Sequence, residues 1–243
     1  MLRTFILAGG KGSRIKEHTT KIPKPMINAN GVPLFIHIIN LYKKYGVSDI
    51  TILSGYKTES FIDYCEKNYS VLDKKNNIYK FDNQLTLTIL NTGEESMTGG
   101  RISQAIEEYQ DKEFYLTYGD GISNVNIQDL YTYHKEKKVL ATLTAVRPPA
   151  RFGSLEIKEE KVVSFGEKLQ TSEGWINGGF FVIKREIQDY IKDVTTVFER
   201  EPLEKLAKSS NLGAFKHTDF WQPVDTIRDL EILEEILSRN KVN

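Results

Sequence analysis

This chain lacks the features that usually announce a binding mode by bulk. A single cysteine, Cys65, among 243 residues excludes an intrachain disulfide and any zinc site built on several thiolates. Its amphipathic surroundings point to burial rather than reactivity. Lys+Arg and Asp+Glu balance at 33 each, so no overall field favours nucleic acid or a membrane surface. No apolar run approaches the roughly 20 residues that span a bilayer. The first residues lack the cationic and long apolar regions of a signal peptide, so a cytoplasmic location is expected. His18, His37, His134 and His217 are scattered without metal-ligand spacing, and no Ser/His/Asp arrangement is legible. Repeats, low-complexity segments and linkers rich in Pro, Gly or Ser are also missing. What remains, 40% hydrophobic and 27% charged, is enough for one domain with a substantial core.

The most informative segment is the first. An apolar strand, Thr4 to Ala8, runs into Gly9-Gly10-Lys11-Gly12-Ser13-Arg14, and Pro23-Lys24-Pro25-Met26 follows. Glycines at a strand end let backbone N–H groups approach an anion, because no Cβ intervenes. The closing Gly-Lys-Ser/Thr of a P-loop and the third glycine of the dinucleotide fingerprint are both absent. Taken alone, the glycines could form a simple strand-to-helix turn. The lysine fixed between two prolines favours a seat for a nucleotide polyphosphate.

Periodicity predicts alternating strands and helices in the first half. Leu34, Ile38, Leu41 and Tyr45 recur at helical spacing, with Gly46 placed to end that helix. Asp49–Leu53, Leu85–Leu90 and Phe114–Tyr118 read as strands. Thr58 is expected to cap a helix through Tyr64, and Gly99-Gly100 to open another. Asp73–Asn77 reads as an exposed loop or hairpin tip. Strand, helix, strand in repeated order argues for a mixed, mostly parallel α/β sheet flanked by helices, with ligands beyond the carboxyl ends of the strands. The second half is richer in strands: 141–146, 153–157, 162–167 and 175–183, with helices over 198–207 and 227–237. One domain over 1–243 is expected, with a nucleotide-binding half (1–125) and a β-rich acceptor half (126–243) whose strands form a lid or wall.

Asp120, between two glycines after an apolar strand, suits a ligand for a hard cation, and equally suits a Gly-Asp-Gly turn. Asp225 is a second candidate, with capping of the last helix as its plain role. Glu167-Lys168 ends a strand, where a surface ion pair is the alternative. Asn177-Gly178-Gly179 interrupts an apolar run, as a ligand approach or a bulge would. Together these parts fit nucleotidyl transfer: an acceptor phosphate attacks the α-phosphorus of a nucleoside triphosphate and pyrophosphate leaves. An ionised attacker needs no general base, so catalysis rests on positioning and charge neutralisation. Arg14 and the loop would hold the outer phosphates, Lys24 the α-phosphate, and Mg2+ on Asp120 and Asp225 the reacting centre.

Leu7 to Arg14 followed by Lys24-Pro25-Met26 resembles the signature of the sugar-phosphate nucleotidyltransferases. Ser96-Met97-Thr98-Gly99-Gly100-Arg101, Thr117-Tyr118-Gly119-Asp120-Gly121, Arg151-Phe152-Gly153, Ile176 to Phe181 and Phe220-Trp221-Gln222-Pro223 resemble its glucose-1-phosphate cytidylyltransferase branch. The likeness covers essentially the whole chain. It implies a Rossmann-like nucleotidyltransferase fold with a sugar-binding region, CTP and a sugar 1-phosphate as substrates, Mg2+, and a homo-oligomer. By position it places Leu7, Ala8, Gly9, Gly10, Lys11, Gly12, Ser13, Arg14 and Lys24 on CTP, and Thr98, Gly100 and Gly119 around the nucleoside. Asp120 and Asp225 would take the metal. Glu167, Lys168 and Asn177 would face the sugar phosphate. Glu95, the Leu169 after Lys168, and shorter stretches at 69–84 and after Asn240 depart from the pattern. They leave open another sugar or polyol phosphate as acceptor. A non-catalytic nucleotide sensor would be expected to lose Arg14, Lys24 or an aspartate, and all are present.

Overall fold

The computed structural model describes residues 2–12, 22–148, 154–158, 160–166 and 174–239. In chain order, β1 (Thr4–Leu7) is followed by a 3-10 turn at Lys24–Met26 and a small ribbon, β2 (Asn28–Ala29) with β3 (Val32–Pro33). Then come α1 (Leu34–Lys44), β4 (Asp49–Ser54), α2 (Thr58–Asn68), β5 (Ser70–Asp73), β6 (Ile78–Lys80), β7 (Thr86–Asn91) and α3 (Thr98–Glu108). The chain continues through β8 (Glu113–Tyr118), β9 (Gly121–Ser123), α4 (Ile127–Lys137), β10 (Ala141–Val146), β11 (Ser154–Lys158), β12 (Lys161–Gly166) and β13 (Ile176–Lys184). After a 3-10 turn at Arg185–Tyr190 come α5 (Glu201–Lys208), β14 (Leu212–Lys216), β15 (Trp221–Pro223) and α6 (Ile227–Ser238).

Nine strands form one sheet in the order β14-β10-β13-β8-β1-β4-β7-β6-β5. All its strands except β13 and β6 point the same way, and β8-β1-β4-β7 at the centre is wholly parallel. Alternation along β1 explains the two layers. Phe5 and Leu7 enter a core with Ile102, Ile106 and Leu203, whereas Ile6 and Ala8 enter another with Ile38, Ile39 and Phe61. Each such buried aliphatic or aromatic side chain contributes roughly 1.5–3 kcal/mol. The mostly parallel sheet flanked by helices is therefore as the periodicity predicts.

Several local expectations hold. Gly46, at φ 75°, ends α1. Asp73 Oδ1 accepts from the N–H groups of Lys75 and Asn76 at the tip between β5 and β6. Cys65 is fully buried, and burial pushes its thiol up to about 12.

Three expectations are corrected. Thr58 does not cap α2: Lys57, in the left-handed region, holds that position, and Thr58 Oγ1 donates to Gly55 O at 3.0 Å. The cap of α6 is Thr226, whose side chain accepts from Asp229 N while Thr226 N donates back to Asp229 Oδ2 at 2.8 Å. Asp225 is thus not the cap. The later strands mostly do not form a lid. β10, β13 and β14 extend the main sheet, and only the ribbons β11-β12 and β9-β15 stand apart.

Candidate active site

The carboxyl ends of β1 and β8 and the start of α3 open on a cleft of about 420 Å3. A ribbon and a turn bring the charged groups there. β9 pairs with β15 (Gly121 opposite Pro223), and Val224 N donates to Asp120 O at 3.0 Å, so Asp120 and Asp225 emerge side by side. Pro23 starts the turn that aims Lys24 at them. Lys24 Nζ donates to Asp120 Oδ2 at 2.5 Å and to Asp225 Oδ1 at 2.8 Å. Its side chain is only 11% exposed. Burial disfavours the ammonium, but the two carboxylates outweigh it and hold the lysine above its ordinary 10.5. One cation between two anions leaves a net negative charge beside a loop built for anions. A divalent cation would turn that charge positive, towards an anionic ligand.

The loop is held from below by Arg101, a buried side chain on α3. Its Nη1 donates to Ser54 O (2.8 Å), Thr92 Oγ1 (2.6 Å) and Gly93 O (2.9 Å), and its Nη2 to Gly9 O (2.9 Å). One guanidinium thereby joins the ends of β1, β4 and β7. No carboxylate pairs with it among the described residues, and burial lowers its pKa from 12.5. A Cβ at Gly9 would overlap the guanidinium and displace it from these carbonyls. The same cleft wall explains Gly100, where a Cβ would run into Val194 O. Met97 N and Gly99 N donate to Val194 O and Thr196 O at 2.8 and 2.9 Å, docking the start of α3 on that loop.

Leu7, Ala8, Gly9, Gly10, Gly12, Lys24, Thr98, Gly119, Asp120 and Asp225 all line the cleft. Lys11 instead lies exposed, with Nζ 3.4 Å from Glu95 and 3.7 Å from Glu94, and Glu95 raises its pKa. Gly100 is buried behind the wall. The hydroxyl of Thr98 is already engaged: it donates to Glu199 Oε2 at 2.6 Å and accepts from Phe198 N at 2.8 Å. Asn177 does not line the cleft but reaches its edge, donating to Tyr118 Oη at 3.0 Å. Burial, then the Glu199 carboxylate, raises the Tyr118 phenol. Ser13, Arg14, Glu167 and Lys168 lie outside the described residues.

Sequence reasoning missed Arg101, Tyr118 and Glu199 as cleft residues. Arg101 and Tyr118 carried a signal, since each adjoins a glycine already singled out. Glu199 carried none. The bulge reading of Asn177-Gly178-Gly179 is met: the β10–β13 register shifts between Leu143 and Ala145, opposite those residues.

A glycine-rich loop at the end of a central parallel strand, facing a lysine and two aspartates, defines a nucleotidyltransferase architecture. The chain belongs to the nucleotidyl transferase family, whose profile matches residues 3–238. It is 39% identical over 250 residues to glucose-1-phosphate cytidylyltransferase of Salmonella typhimurium, covering 99% of this chain and 97% of that protein. It is 40% identical over 238 residues to a probable glucose-1-phosphate cytidylyltransferase of Bacillus subtilis, covering 94% and 93%. In fold it is similar to HddC from Yersinia pseudotuberculosis complexed with GMP-PN, with a TM-score of 0.74 at 24% identity over 98% and 100% of the two chains. Among the described residues no helix is long and apolar enough to cross a membrane.

Proposed function

We propose that this chain transfers the cytidylyl group of CTP to a sugar 1-phosphate, glucose 1-phosphate first among them, giving CDP-glucose and pyrophosphate. The observation that carries this reading is the convergence of Lys24, Asp120 and Asp225 at the mouth of the glycine loop. The two full-length relatives named as glucose-1-phosphate cytidylyltransferases support the choice of base and acceptor.

The two carboxylates supply hard oxygen donors, and no group of three or more His, Cys, Asp or Glu gathers for a metal among the described residues. That donor set suits Mg2+, which takes one or two carboxylates and completes its shell with water and phosphate oxygens. Asp120 and Asp225 would hold it. When bound, the ion neutralises phosphate charge at the reacting centre.

The remaining work falls to the protein. The N–H groups of the loop, fixed by Arg101, would donate to the outer phosphates, and Arg14 would add charge there. Lys24 offers its ammonium to the α-phosphate. Asn177, with Glu167 and Lys168, would position the acceptor. The acceptor's phosphate is largely ionised near neutrality, with a second pKa of about 6, so no side chain has to remove a proton.

The test is pyrophosphate release by the full chain with Mg2+, each nucleoside triphosphate and a panel of sugar and polyol phosphates. CTP with glucose 1-phosphate is the expected productive pair. Asp120→Asn should lower turnover roughly 10²–10³-fold while the protein remains folded. Absence of release with CTP and every acceptor would overturn the proposal, and nucleotide binding without turnover would mark a sensor instead.

A further inference from the structure

We propose that Glu199 is an acceptor-binding residue, its carboxylate placed to take a hydrogen bond from a hydroxyl of the sugar 1-phosphate. This deepens the proposed function and rests on it, naming what would recognise the uncharged end of that acceptor. Glu199 lines the cleft itself, together with Thr98 and Tyr118. Its place is set by packing. Phe198 is fully buried against Phe181, with ring centroids 5.9 Å apart, which anchors the residue before it. Phe198 N donates to Thr98 Oγ1 at 2.8 Å, and Thr98 Oγ1 donates in turn to Glu199 Oε2 at 2.6 Å. From the sheet, Asn177 Nδ2 donates to Tyr118 Oη at 3.0 Å. Burial, then the charge of Glu199 and a hydrogen bond to it, keep the Tyr118 phenol protonated. Thr98 and Tyr118 thus hold one carboxylate ready in the cleft, and Tyr118 ties it to Asn177.

Charge decides what this carboxylate can receive. Asp120 and Asp225 share Lys24, and Asp82 and Glu113 each meet a lysine, but no cation pairs with Glu199 among the described residues. An ionised carboxylate only accepts, and its two oxygens have lone pairs left over after Thr98 and Tyr118. A phosphate placed there would meet like charge. The groups of either substrate that can donate to it are therefore hydroxyls and the cytosine amino group. The link through Tyr118 to Asn177 favours the acceptor's hydroxyls. The cleft is divided accordingly: the glycine loop and Lys24 face phosphate, and Glu199 faces uncharged donors.

The experiment follows pyrophosphate release by the full chain with CTP, Mg2+ and either glucose 1-phosphate or its monodeoxy analogues, one for each hydroxyl. Loss of the recognised hydroxyl should cost the parent enzyme about tenfold or more in kcat/KM, as for a hydrogen bond to a charged group. Glu199→Ala should lose about as much on glucose 1-phosphate and almost nothing further on that one analogue, since both changes delete the same bond. Glu199→Gln, whose amide oxygen can still accept from Thr98, should unfold in urea with the parent and narrow the same difference. The KM for CTP should stay within about twofold throughout. The role is refuted if every analogue matches glucose 1-phosphate, or if the variants lower all acceptors equally. It is also refuted if the KM for CTP rises instead, which would place the carboxylate on the nucleoside. Should no acceptor turn over with CTP, the proposed function fails. Calorimetric titration with glucose 1-phosphate then judges Glu199 separately: binding weakened about tenfold in Glu199→Ala supports the role, and unchanged or absent binding refutes it.

Discussion

Beneath the glycine loop one buried guanidinium ties three strand ends through backbone carbonyls, whereas beside β10, β13 and β14 two cations, Arg147 and Lys216, lie on the half-exposed Trp175 indole. The first arrangement fixes a backbone. The second uses side chains alone, which can be exchanged without disturbing a strand. The contrast teaches that the loop is held by buried structure and the other cluster by surface. A second contrast runs in parallel. Burial lowers the pKa of the loop's anchor, Arg101, from 12.5, while α4 carries a buried imidazole, His134, whose Nδ1 lies 2.9 Å from Thr142 Oγ1 and whose Nε2 has no partner.

The largest effect that would break the comparison is at Arg101. Arg101→Met removes the donor of Gly93 O, whereas Gly9 O keeps Tyr56 N and Ser54 O keeps Thr92 N, at roughly 1–3 kcal/mol for the carbonyl left unsatisfied. Urea unfolding should show a loss of that order, and the KM for CTP should rise more than that for the acceptor. A variant melting with the parent, with CTP kinetics unchanged, would remove the anchor role.

An intermediate effect concerns pH. Burial depresses His134 to about 4 from its ordinary 6.5. The unfolded chain therefore binds a proton that the native chain refuses between those values. Stability is full above about pH 6.5 and falls as pH drops towards 4, by at most about 1.4 kcal/mol per pH unit. Amides of β10 should lose hydrogen-exchange protection before those of β1 as pH is lowered from 7 to 5. His134→Gln should flatten the slope, and an unchanged slope would assign the acid sensitivity elsewhere.

The smallest effect sharpens the boundary between the two ends. Tyr118→Phe deletes the acceptor of the Asn177 amide, a loss of about 1 kcal/mol. The acceptor KM should rise about fivefold with the KM for CTP unaltered. A matching rise for CTP would place Tyr118 and Asn177 on the nucleotide instead.

The central strands were legible because Phe5, Leu7, Leu53 and Leu116 alternate with residues that enter the opposite layer. The hairpin edge was not, since Val71 and Leu72 are 43% and 55% exposed and give β5 no buried face. β9 and β15 span only three residues each, too short for any period to show. α4 was missed because few of its positions are apolar. At the site, the charged triad could be read from spacing and glycines. Not every glycine lines the cleft: Gly100 packs against the Val194 carbonyl, where a Cβ would not fit. Glu199 could not be found at all, because only tertiary packing on Thr98 brings it to the cleft.

The capping box of α6 has a consequence for how freely this chain can vary. Because Thr226 and Asp229 start the helix by themselves, the side chain of the neighbouring Asp225 is spared capping and is turned to Lys24. Altering it would cost that ion pair and leave the helix start in place. A helix start and a charged cleft wall therefore sit one residue apart as separately heritable traits.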